Sequence, residues 1–75
     1  MNMIYEEFLK RVGLKIKYYR MLKNITQNVL AESLSVEESY MSDIENGKRN
    51  ITMKTLYNIA SALNIDCVKL FDFND

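Results

Sequence analysis

The chain has 75 residues with ten basic and ten acidic side chains, a formal net charge of zero, one cysteine, and neither histidine nor proline. That fits one small globular domain; a lone Cys without His excludes an internal disulfide and leaves zinc sites and the common nucleophile–base pairs without parts, so no enzyme, metal or cofactor is expected. No apolar run approaches the roughly 18 residues of a membrane span, and the acidic-then-basic N-terminus is unlike a signal peptide, so a cytoplasmic protein without a membrane partner is expected.

The first element is a helix from about Ile4 to Leu22. Ile4, Phe8, Leu9, Val12, Ile16, Tyr19 and Leu22 recur at three- and four-residue steps, the mark of one buried stripe. Gly13 interrupts it, either as a kink or as the point where an N-terminal helical extension (about 1–12) gives way to the domain proper. Three later helices share one start signal. Thr26, Thr52 and Asp66 are N-caps, and each sits between an apolar residue and a second one five positions beyond it: Ile25 with Leu30, Ile51 with Leu56, Ile65 with Leu70. This is the hydrophobic staple, and it predicts helices over about Gln27–Leu34, Met53–Leu63 and Cys67–Phe71. Between the first two, Val36, Met41 and Ile44 give Glu38–Asn46 an apolar side, and Asn46-Gly47 stops it. The sum is an all-α domain of five helices, with the pair over about 26–46 joined by a tight turn and the C-terminal helices over about 53–71.

The zero net charge hides a strong polarity. Residues 1–23 hold six basic side chains against two acidic ones, a balance of +4, whereas residues 24–47 hold five acidic side chains and no basic one, a balance of −5. Lys48, Arg49 and Lys54 follow. Two short helices, a tight turn and flanking basic residues form the layout of a helix-turn-helix, whose second helix enters the major groove of DNA. In that helix Met41, Ile44 and Glu45 share one side, and Ser39, Asp43 and Asn46 face away. Tyr40 lies at one flank and Glu38 at the N-terminal edge. Glu45, on the buried side, needs a cation.

Arg20, Thr26-Gln27, Leu30-Ala31, Val36, Ile44-Glu45, Asn46-Gly47-Lys48-Arg49 and Leu63-Asn64-Ile65 together resemble the Cro/lambda-repressor-like helix-turn-helix family, over about Leu14 to Phe71. The resemblance implies a compact five-helix, lambda-repressor-like DNA-binding domain spanning residues 1–75, with double-stranded DNA as partner and no small-molecule ligand. It makes Arg20 and Glu45 a structural ion pair. It places Glu38, Ser39 and Asp43 at base-reading positions, and Lys17, Gln27, Tyr40, Asn46, Lys48 and Arg49 along the DNA backbone. The departure is acidity: carboxylates replace the amides and arginines usual at the reading positions, and Ser35 replaces the usual turn Gly. Ser39-Tyr40-Met41-Ser42-Asp43-Ile44-Glu45 and Arg49-Asn50-Ile51-Thr52-Met53-Lys54-Thr55-Leu56 further resemble restriction–modification controller proteins; mobile-element repressors are similar.

The expected function is therefore a sequence-specific transcriptional regulator acting as a homodimer on a palindromic operator. The alternative is a protein-interaction module on the same fold, an antitoxin or anti-repressor subunit whose acidic helix meets a basic partner. Leu70, Phe71 and Phe73 are the candidate dimer contacts, with packing of the two Phe side chains on the first helix left open beside that role.

Overall fold

The computed structural model describes residues 3–74; residues 1 and 2, part of the expected N-terminal extension, and residue 75 lie outside them. Four α-helices follow one another: α1 (Tyr5–Leu22), α2 (Gln27–Ser33), α3 (Glu38–Glu45) and α4 (Met53–Leu63). A 3-10 helix over Cys67–Phe71 comes last. The expectation of five helices is corrected here to four and a 3-10 turn. Five residues are too few to repeat an i→i−4 ladder, and the backbone bond from Lys69 N–H to the Asp66 carbonyl (3.0 Å) closes the tighter ring instead.

The helix starts follow from local chemistry. Val29 N–H donates to Thr26 Oγ1 and Thr55 N–H to Thr52 Oγ1, each at 3.1 Å, and Val68 N–H donates to Asp66 Oδ1 at 3.2 Å. Each cap satisfies one of the backbone donors left open at a helix start. Leu30, Leu56 and Leu70, the inner residues of the three staples, are all buried.

The helix ends also share one device. Asn24, Ser35, Gly47 and Asn64 all have left-handed backbones, with φ of 58°, 58°, 72° and 57°. The next residue then donates its N–H back across the turn: Ile25 to Arg20, Val36 to Ala31, Lys48 to Asp43 and Ile65 to Ala60. These are Schellman closures. In three of them the residue that closes one helix is apolar and packs on the core, and Ile25 and Ile65 also form the staple of the next helix. One residue thus ends one helix and aims the next.

Val12 and Ile16 of α1, Leu30 and Ala31 of α2, Met41 and Ile44 of α3, Ile59 and Leu63 of α4 and Leu70 of the 3-10 helix form one core. Helix α1 packs against α3, α4 and the 3-10 helix, and α2 against α3 and α4. The apolar stripe of α1 is shorter than its periodicity suggests, because Ile4 and Leu22 at its ends are exposed. Helix α1 runs unbroken through Gly13, with Leu9 and Val12 already in the core.

Gly13 has a packing reason instead. A Cβ there would lie 2.5 Å from the Glu45 carbonyl oxygen and 2.6 Å from that of Ile44, both backbone atoms of α3. The chain's other glycine, Gly47, reciprocates: its Cβ would lie 2.7 Å from Cα of Lys10, one turn earlier on α1. Both glycines of the protein therefore serve one close crossing, which seats the C-terminal end of α3 on α1.

Two stability changes of opposite sign are expected. Gly13→Ala drives a methyl into α3 backbone and destabilises by about 3 kcal/mol, the upper end for overpacking. Ser35→Gly keeps the turn and removes the left-handed penalty of an L-residue, gaining about 1 kcal/mol, or roughly 4–8 °C in Tm for a domain of this size. Thermal unfolding followed by circular dichroism checks both.

Candidate nucleic-acid interface

Helix α2, the turn centred on Ser35 and helix α3 form a helix-turn-helix. Three residues of α3 (Met41, Ile44 and Glu45) are buried. Glu38 and Ser39 at its start are exposed, Ser42 and Asp43 are half-buried, and Asn46 at its end is exposed, its amide 3.5 Å from Ser42 Oγ. The outward side of α3 is therefore polar and accessible along its whole length.

What holds that side outward is the opposite side. Glu45 is 4% exposed. Its carboxylate accepts from Arg20 Nε at 2.7 Å and from Arg20 Nη2 at 3.1 Å, a two-pronged pairing of guanidinium and carboxylate. Arg20 Nη1 also donates to the Ile25 carbonyl at 2.9 Å. Gln27 completes the network, donating from Nε2 to Glu45 Oε1 at 3.1 Å. One carboxylate thus ties together the end of α1, the loop after it, the first residue of α2 and the last residue of α3. No buried side-chain polar atom among the described residues lacks a partner.

The sequence makes Gln27 a phosphate contact; the structure also gives it this scaffold role. The amide has two N–H donors, and Glu45 takes one.

By sequence, Asp43 and Arg49 are separate contacts, one to a base and one to the DNA backbone. The structure brings them together. Arg49 Nε lies 3.4 Å from Asp43 Oδ2, and the guanidinium carbon sits 4.9 Å from the centre of the Tyr40 ring. The Schellman reversal at Gly47 makes this possible by folding residues 48–49 back along α3. A pairing of i with i+6 across such a turn has no periodic signature, which is why helix patterning missed it. Lys48 and Lys17 are exposed on the loop and on α1.

At the C-terminus, Leu70 is completely buried. The ring of Phe71 stacks on Phe8 of α1 with centroids 6.1 Å apart, and Phe73 meets Phe8 edge-on at 5.9 Å. Of the three candidates for a dimer contact, Leu70 thus lies in the core and Phe71 and Phe73 face the protein's own first helix. Large apolar side chains left exposed include Leu14 and Tyr18 of α1, which border Phe73, and Met53 and Tyr57 on α4 with Val68 on the 3-10 helix.

A family model described as "Helix-turn-helix" matches residues 16–70, most of the chain. The chain belongs to the helix-turn-helix family. Among relatives of this helix-turn-helix protein, the ImmF control region 10 kDa protein of Bacillus phage phi105 is 40% identical over 57 residues, 76% of this chain and 63% of that one. The chain thus spans less than two thirds of the phage relative. The restriction-modification controller protein C.AhdI from Aeromonas hydrophila superimposes with a TM-score of 0.80 at 30% identity, covering 84% of this chain and 96% of that one. The controller protein C.Esp1396I, solved as a tetramer in complex with its natural 35 base-pair operator, superimposes with a TM-score of 0.76 at 36% identity, covering 85% and 84%.

Truncating one partner of the Glu45 network strands a charge in the core. Arg20→Ala is expected to cost about 3–5 kcal/mol, and Gln27→Ala about 1.5–3 kcal/mol for one hydrogen bond to a charged group. The paired replacement Arg20→Met with Glu45→Leu should lose less than Arg20→Ala alone. Urea unfolding of the four proteins orders these costs.

Proposed function

We propose that this chain is a sequence-specific, DNA-binding transcriptional regulator of the restriction–modification controller type, acting as a homodimer. The observation that carries the reading is the superposition on C.Esp1396I, a protein solved on its operator, at 36% identity over 85% of this chain. The geometry of α3 agrees with it, because its buried side is clamped by Arg20 and its polar side, from Glu38 and Ser39 to Asn46, faces solvent.

In this reading α3 lies in the major groove. Ser39 donates to or accepts from base edges, and Glu38 and Asp43 accept from cytosine N4, the pairing carboxylates make there. Lys48, Arg49, Lys17, Asn46, Tyr40 and the unspent N–H of Gln27 contact sugar and phosphate and set the register. Burial of Glu45 matters here too: it takes one carboxylate of the acidic segment out of the field that the phosphates meet.

A single domain of this size covers one half-site. A two-fold dimer would place the two α3 helices about 34 Å apart, one turn of DNA, and would match a palindromic operator. The face that suits this role is the outer side of α4 with the 3-10 helix, where Met53, Tyr57 and Val68 are exposed. Tyr57 there borders a shallow depression that continues over Ala60, Asn64 and Cys67.

Selection from pooled random duplexes at low salt is expected to enrich a palindrome, and the log of affinity should fall steeply with log salt. A stable homodimer that enriches nothing would sink the reading and favour a protein-interaction module. In sedimentation equilibrium, Tyr57→Glu should yield monomers while Phe73→Glu, which faces Phe8, keeps the dimer. The reverse result would move the interface to the C-terminal aromatic residues.

A further inference from the structure

The contact of Arg49 with Asp43 and Tyr40 joins groups whose roles on DNA conflict. Arg49 is a cation positioned for phosphate, and Asp43 is a carboxylate on the outward side of α3. In the free protein each is spent on the other, at 3.4 Å, with the Tyr40 ring as a second support for the guanidinium at 4.9 Å. Both side chains remain open to solvent, at 49% and 39% exposure, so the bridge is weak enough to exchange. The loop that carries Arg49 is anchored rigidly just before it. Lys48 N–H donates to the Asp43 carbonyl at 2.8 Å, and Gly47 is wedged against Lys10. The guanidinium, exposed beyond that anchored turn, can swing between Asp43 and an anion that lies beyond.

We propose that Arg49 is a latch on the reading helix, and that Asp43 makes its release depend on the DNA sequence. The inference rests on the DNA-binding reading. To contact a phosphate, Arg49 leaves Asp43. The freed carboxylate then faces the groove without its cation, close to phosphates of like charge. At a cytosine whose N4 amine meets Asp43, a new donor replaces the lost one and the exchange is close to neutral. Elsewhere the carboxylate stays unpaired and the exchange is unfavourable. Tyr40 supports the guanidinium through its ring face, so Arg49 need not be lost to solvent during the exchange. The pair lowers affinity for DNA in general more than affinity for the correct site. It thereby gives the acidic reading helix a use: a penalty on wrong sequences.

The test is a double-mutant cycle on a mixed-sequence duplex and on the selected operator, read by fluorescence anisotropy at fixed salt. Asp43→Asn should tighten binding to mixed-sequence DNA about fivefold, the size of one exposed ion pair, and should lower the ratio of operator to mixed-sequence affinity. In an Arg49→Gln background the same change should have much less effect, because no latch remains to release. An equal gain in both backgrounds would mean that Asp43 only repels phosphate, and would overturn the latch while leaving the regulator reading intact. Failure of the parent protein to bind any duplex would overturn both. Without DNA, the Arg49 Nε–Hε resonance should move in Asp43→Asn; an unmoved resonance also overturns the latch.

Discussion

Glu45 is the one charged side chain buried among the described residues, and the positions of the other parts follow from how it is satisfied. A carboxylate in a core is tolerated only when paired and fully hydrogen-bonded. Here that requirement brings in Arg20 from the end of α1 and Gln27 from the start of α2, and Arg20 also binds the Ile25 carbonyl in the connecting loop. Rotating α3 about its axis, or sliding it along α1, would break this network. The two glycines guard the same junction sterically, since a side chain at Gly13 or Gly47 would push α1 and the end of α3 apart. Polar and steric constraints thus agree on one register, and the outward side of α3 is its consequence.

That register also resolves much of the tension in the charges. Five carboxylates between residues 24 and 47 with no cation look hostile to DNA. Folded, Glu45 is internal and neutralised by Arg20, and Asp43 is bridged by Arg49 from just beyond the segment. Helix α3 then presents Glu37 and Glu38 at its start without an ion-pair partner among the described residues, alongside Ser39. Counting charge along the chain overstated the field at the surface, because pairing across 25 and across six residues is invisible to a running sum.

Much of the fold was legible because its signals are short. A cap and its staple lie within six residues, so Thr26, Thr52 and Asp66 announced their helices directly. Gly47 announced a stop because glycine alone is at ease in the left-handed region. Asn24, Ser35 and Asn64 do the same work less conspicuously, since Asn and Ser occur in many other settings. Residues 67–71 carried a sound cap and staple and still form a 3-10 turn, since a start signal says nothing about how many residues the core leaves room for. Ile4 and Leu22 matched the periodicity of α1 and stayed exposed, because the core is shorter than the helix.

By itself the sequence determined where the helices begin, which side of each is apolar, and the presence of an acid on the apolar side of α3 that demands a cation. These are consequences of interactions within one or two turns of chain. Only the tertiary structure decided that Gln27 supports Glu45, that Gly13 exists for a backbone contact with α3, that Phe71 and Phe73 close on Phe8, and that Asp43 holds Arg49. Each of these joins residues that the chain must fold back to bring together, and side-chain chemistry does not name its partner until packing has chosen it.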